Sequence, residues 1–259
     1  MGNFKGNFYS ASLKMTTQIN VIFPERSNDV DPIIEGQPRV LVLLHGLSGN
    51  HDEWPRFSKI EYYAKKYNFV IIMPEVQRSF YCNTTYGMNY YDYVADELLK
   101  ICAKWFRIST DRENTFIAGE SMGGYGAVKI GLTRPESFAG IASLSGVLDY
   151  ESFTEMIRAN EWPDMSGKEL DVLHDEETPL KLGVKQAKDP QRPKLIQLIG
   201  TEDFLYEGNQ RFRKALNEAG YGHEYREGPG DHAWPYWDKA IQYAFMYFLG
   251  LDMNKTEIY

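Results

Sequence analysis

The 259-residue chain has only two cysteines, Cys82 and Cys102. A pair this sparse makes no disulfide framework, and neither residue stands in a Cys-x-x-Cys or Cys/His metal spacing. Both are expected to be reduced thiols, with no bound metal. No run of about 18 or more apolar residues exists, so no membrane span is expected. The N-terminus, MGNFKGNFYSASLKM, lacks the apolar core of a secretory signal. Gly6 stands where N-myristoylation needs Ser or Thr. These absences make the cytoplasm the expected location. A basic excess is missing too: 28 Lys and Arg face 36 Asp and Glu, for a net charge of −8. An acidic chain repels phosphate backbones, which argues against a nucleic-acid partner. The charge forms no long block, and neither an internal repeat nor a low-complexity tract occurs.

What is present is ordinary for a globular protein that buries a large core, with 43% hydrophobic and 25% charged residues. Residues 8–23 alternate polar and apolar and read as two antiparallel strands. After a loop rich in Pro, Asn, Asp and Gly, the pattern changes to continuous apolar runs. RVLVLL (39–44), FVIIM (69–73), residues 114–118, 138–144 and LIQLI (195–199) read as strands covered on both faces. Helical patterns alternate with them at 53–67, 90–106, 121–133, 207–219 and 233–249, and 223–226 reads as a last short strand. In the helix over 90–106, Val94, Leu98, Ile101 and Trp105 share one face. Alternation of this kind predicts a mostly parallel sheet with helices on both faces. The whole chain, 1–259, is expected to form one domain. The charged, weakly periodic stretch at about 147–193 reads as an insertion over one end of the sheet, a short cap above the cleft at the strand ends.

Gly119-Glu120-Ser121-Met122-Gly123 matches G-x-S-x-G, with an apolar strand before it and a helix after it. A sharp strand-to-helix turn projects the Ser121 hydroxyl, and small neighbours admit the backbone that comes close. A serine needs a base, and the base an orienting acid. On this scaffold they follow in the order Ser, Asp or Glu, His. Of the histidines after Ser121, His174 falls in the charged insertion and His223 in a strand. His232 sits in a Gly-Pro-Gly-Asp-His loop before the last helix, where a base belongs. Glu202 and Asp203 follow the strand 195–199. Asp203 is preferred as the acid, because Phe204 and Leu205 follow it and can bury it. The loop His45-Gly46-Leu47 offers the Leu47 N–H as one oxyanion donor, and the Met122 N–H at the helix start is the other. His45 precedes the serine and is assigned to holding its loop. Trp234, Tyr206, Phe80, Tyr81 and Tyr86 are candidates for lining the substrate cleft.

Four segments in order, LLHGLSGNHDEW, GESMGGYGA, GTEDFLY and GPGDHAWPYWDKAI, resemble the tributyrin esterase family. That family belongs to the esterase D and S-formylglutathione hydrolase-like branch of the α/β-hydrolases. The resemblance spans about residues 8–249. It implies the α/β-hydrolase fold, hydrolysis of short-chain acyl esters without a cofactor, and a small-molecule ester as partner. It implies Ser121, Asp203 and His232 as the triad, with Leu47 and Met122 at the oxyanion hole. Its relatives include feruloyl and acetylxylan-type esterases, and a homo-oligomer follows by analogy. Where S-formylglutathione hydrolases often carry a cysteine after the oxyanion-loop glycine segment, this chain reads Leu47-Ser48-Gly49-Asn50, which favours simple esters over the glutathione thioester. Transfer of the acyl group to an alcohol uses the same intermediate.

Overall fold

Eight strands form one sheet in the order β1-β2-β4-β3-β5-β6-β7-β8. They run Gly2–Ser10 (β1), Met15–Phe23 (β2), Arg39–Leu44 (β3), Phe69–Pro74 (β4), Thr115–Glu120 (β5), Gly140–Leu144 (β6), Lys194–Gly200 (β7) and Glu224–Gly228 (β8). The computed structural model describes residues 1–25, 32–84, 87–159 and 177–254. β1 and β2 form an antiparallel hairpin, β2 joins β4 antiparallel, and every pairing from β4 to β8 is parallel. This is the expected α/β-hydrolase sheet. Its central strands are mostly apolar because helices cover both faces: every residue of β4, β5 and β6 is buried.

On one face lie α1 (Glu53–Phe57), α2 (Ile60–Tyr67) and the closing helix α9 (Trp234–Leu249), around Tyr63, Tyr67, Phe69, Phe116 and Phe245. On the other lie α3 (Tyr90–Asp92), α4 (Leu98–Phe106), α5 (Met122–Thr133), α7 (Pro179–Gln186) and α8 (Tyr206–Ala219). The helix read over 53–67 is two helices, because Ser58 is extended (φ −137°, ψ 172°) and its hydroxyl turns back to the Trp54 carbonyl. The helix read over 90–106 carries a wide π turn at Tyr93–Glu97. There Glu97 accepts hydrogen bonds from Ser10 Oγ and from the N–H groups of Ala11 and Ser12, tying this helix to the β1–β2 turn. Trp105, expected on the buried face, is 52% exposed and meets the Phe8 ring edge-on.

Of the 147–193 insertion, α6 (Tyr150–Ala159) and α7 are described. α7 packs beside α5 and α8 in the helical layer, with Leu182 in the core. Residues 160–176, including His174, lie outside the described residues. No helix among the described residues is long and apolar enough to cross a membrane.

β3 is flanked by β4 on one side and β5 on the other, so the connections leaving it diverge. A crevice opens at such a switch point, beyond the carboxyl ends of the strands. The clamp beneath it is aromatic. Phe245 is fully buried, with its ring 5.0 Å from both Tyr67 and Phe69. Phe245→Ala is expected to cost about 3–5 kcal/mol in urea-melt stability. A loss under about 1 kcal/mol would show that α9 does not anchor this face.

Candidate active site

Ser121 follows β5 and precedes α5 at φ 53°, ψ −117°, a backbone conformation that L-residues rarely adopt. The turn is held because Ser121 N–H donates to the Leu144 carbonyl and Tyr125 N–H to the Ser121 carbonyl. Glycine is required on both sides. A Cβ on Gly119 would stand 2.5 Å from the Gly123 carbonyl carbon, and one on Gly123 would stand 2.5 Å from the Leu44 carbonyl oxygen.

His232 lies between β8 and α9, and its Nε2 is 2.9 Å from Ser121 Oγ. Its Nδ1 is 3.0 and 2.9 Å from the two carboxylate oxygens of Asp203. The Asp203 side chain is fully buried, whereas that of His232 is 17% exposed. With Nδ1–H donating to Asp203, Nε2 keeps its lone pair and accepts the Ser121 hydroxyl proton. Asp203 Oδ1 also accepts the Leu205 N–H at 2.9 Å, which fixes the carboxylate. Leu205 is buried beside it, but Phe204 is 65% exposed and lies over the His232 ring at 4.5 Å. Trp237 meets that ring edge-on at 5.0 Å and is itself fixed by a bond from its Nε1–H to Ser145 Oγ.

Glu202 has a different task. Its carboxylate accepts the Gly230 N–H at 2.6 Å, which holds it below the usual carboxylate range, and its own N–H donates to the Gly230 carbonyl. Glu202 thus ties the loop carrying Asp203 to the loop carrying His232.

Ser121 and His232 open into a cavity of about 320 Å³, lined also by Gly46, Leu47, Ser48, Glu53, Glu120, Phe204 and Trp237. Met122 is the first residue of α5, where N–H groups have no partner within the helix. His45 is buried: its Nδ1–H donates to the Gly46 carbonyl, and its Nε2 accepts the Val76 N–H. Burial holds it below the ordinary imidazole value, partly offset by Glu75. It therefore anchors the loop that presents Leu47.

The aromatics expected along the cleft sit elsewhere. Tyr81 is fully buried and donates its hydroxyl to the His45 carbonyl, while Phe80 packs edge-on to Tyr125. Trp234 packs between Trp54, Phe57 and Trp237, and Tyr206 donates to Glu227. In each case packing or a hydrogen bond inside the fold takes the ring away from the cavity. Tyr86 lies outside the described residues. Among the described residues, the aromatic rings of Phe204 and Trp237 line the cavity beside His232.

Sequence reasoning also missed the cavity's two carboxyl groups. Glu120 is the variable residue before the serine, and nothing in G-x-S-x-G marks it. It is 2% exposed and lies against Gly46 so closely that no side chain fits there. Burial pushes its carboxyl well above the ordinary range, and Glu53 pushes the same way, against the Gly46 N–H. Burial also raises Glu53.

Fold and site together define a serine hydrolase of the α/β type. Residues 10–248 match the Esterase family, and the chain belongs to it. An acetyl esterase of Caldicellulosiruptor saccharolyticus is 31% identical over 92% of this chain and 95% of its own length. Fluorophosphonate-binding serine hydrolase F of Staphylococcus aureus, solved with substrate bound, is 35% identical, with a TM-score of 0.83 over 96% of this chain and 98% of its own. An S-formylglutathione hydrolase of the same organism is 33% identical, with a TM-score of 0.80 over the same shares. The protein is a serine carboxylic ester hydrolase.

Glu120 generates a pH prediction. Its folded-state value lies above its ordinary value of 4.5, so the native state holds a proton that the unfolded chain has released. Stability therefore falls as pH rises through that window, by no more than about 1.4 kcal/mol per pH unit for this group. His45 acts at the acid end, below its ordinary value of 6.5. As pH rises above 4.5, Glu120→Gln should lose melting temperature less steeply than the parent. Parallel melting curves would refute the buried neutral carboxyl.

Proposed function

We propose that Ser121, His232 and Asp203 act as a triad that hydrolyses short-chain acyl esters through an acyl-enzyme. One observation carries this reading: the unbroken chain of contacts from Ser121 Oγ to His232 Nε2 and from His232 Nδ1 to Asp203, opening into the cavity. His232 takes the serine proton as Ser121 attacks the ester carbonyl, and Asp203 fixes the tautomer and stabilises the imidazolium. The N–H groups of Leu47 and Met122 receive the oxyanion, each worth a few kcal/mol by analogy with donor deletions. The alcohol leaves with the proton from His232, and a water activated by the same ring releases the acid.

The modest cavity supports a small acyl group, and the acetyl esterase relative supports acetyl. Glu53 and Glu120 on its wall suit a hydroxyl-bearing alcohol such as a sugar. The reading comprises a single domain, 1–259, with a cap drawn from about 147–193, working in the cytoplasm. The two free cysteines support a reducing compartment.

Ser121→Ala should lower p-nitrophenyl acetate turnover by a factor on the order of 10⁴ or more while leaving the melting temperature nearly unchanged. Retained turnover removes the serine from the mechanism. Acetylated sugars, feruloyl esters and S-formylglutathione, assayed with and without added alcohol, separate the substrate classes and distinguish transfer from hydrolysis.

A further inference from the structure

A second cavity, of about 600 Å³, lies on the other side of the His232 loop, between β8 and α9. It shares no lining residue with the catalytic cavity. Its walls are Tyr225, Tyr236 and Tyr243, with Arg213, Arg226 and Lys239 around them. In a chain of net charge −8, three cations at one cavity is a local reversal of sign. Arg213 lies over the Tyr225 ring at 3.9 Å and Arg226 over the Tyr243 ring at 4.9 Å, so flat rings and guanidinium planes already stack here.

The acidic lining residue is Glu227. Its carboxylate accepts the hydroxyls of both Tyr206 and Tyr225 on the single oxygen Oε2, and the nearby Arg213 charge helps hold it below the usual carboxylate range, so one anion stands against the three cations. Arg226 is engaged within the fold, donating through Nη2 to Asn254 and pairing through Nε with the Glu224 carboxylate at 3.5 Å. Arg213 and Lys239 make no ion pair among the described residues. A ligand that satisfies these groups brings acceptor oxygens in a plane for the guanidinium forks, and a flat body for the tyrosine faces.

We propose that this cavity is a second binding site, for a carboxylate with a flat apolar body. Ester hydrolysis releases a carboxylic acid, so the enzyme's own product belongs to the ligand class. The site adjoins the catalytic loop. Gly228 and Pro229 line it, and Tyr236 packs so tightly on Gly230 that a Cβ there would stand 3.0 Å from the tyrosine's own. Two residues further on is His232. The inference rests on the esterase class of the chain and not on the roles assigned to Ser121, Asp203 or His232.

Benzoate titrated into the full-length protein by calorimetry tests it, with the Arg213→Ala/Lys239→Ala variant beside the parent. Both residues lie at the surface, and a circular-dichroism melt verifies that the variant is folded. Saturable binding that weakens about tenfold or more in the double variant, and is unchanged in Phe204→Ala at the catalytic cavity, supports the proposal. Benzyl alcohol, which lacks the charge, should bind at least about tenfold more weakly than benzoate. Equal affinity in parent and double variant, loss on Phe204→Ala, or equal binding of benzyl alcohol overturns it. Inorganic phosphate binding as tightly as benzoate overturns the flat-body part, leaving a simple anion site.

Discussion

The structure depends on one close approach: the β5–α5 turn lying against the end of β3. Ser121 takes its positive φ only because Gly119 and Gly123 let backbone pass within van der Waals contact, with Gly123 seated under the Leu44 carbonyl. That contact puts the end of β5, the start of α5 and the Gly46–Leu47 loop at a single point. A hydroxyl facing the cavity, a helix N-terminus and a neighbouring loop amide arise together from it. A Cβ at Gly119 would push α5 off β5, and one at Gly123 would push it off the end of β3.

This point was legible in the sequence because it is local. A strand, a five-residue turn and a helix adjoin in the chain, and steric demand fixes which residues the turn accepts. The parallel sheet was legible because strands covered on both faces have no polar alternation, as RVLVLL and FVIIM illustrate. Asp203 and His232 were legible through position, each following a recognisable strand. The aromatic lining was not. Phe80 and Tyr81 stand in a loop after a central strand, yet both take positive φ and turn inward, where Tyr81 meets the His45 carbonyl. Inward or outward direction depends on backbone angles and distant partners that no spacing records. Glu120 was invisible for a related reason: its neighbour Gly46 is 74 positions away, and only the fold makes it a buried carboxyl.

Polar groups around the site take up two tasks. Asp203, Ser121 and His232 form one line of contacts. His45 and Glu202 serve the loops instead, each spending its hydrogen bonds on backbone. In this way the Leu47 loop and the His232 loop are held without help from regular secondary structure.

The Glu202 tie has a mechanical result. Thr201 N–H donates to the Gly228 carbonyl, Glu202 N–H to that of Gly230, and the Glu202 carboxylate receives the Gly230 N–H. Three cross-links among these four residues brace the two loops against each other, so the loops that carry the carboxylate and the imidazole are joined directly as well as through the side chains. Ser121 rides on a different body, the α5 elbow. The contact between hydroxyl and imidazole is therefore the member of the trio that no backbone tie between its two loops reinforces.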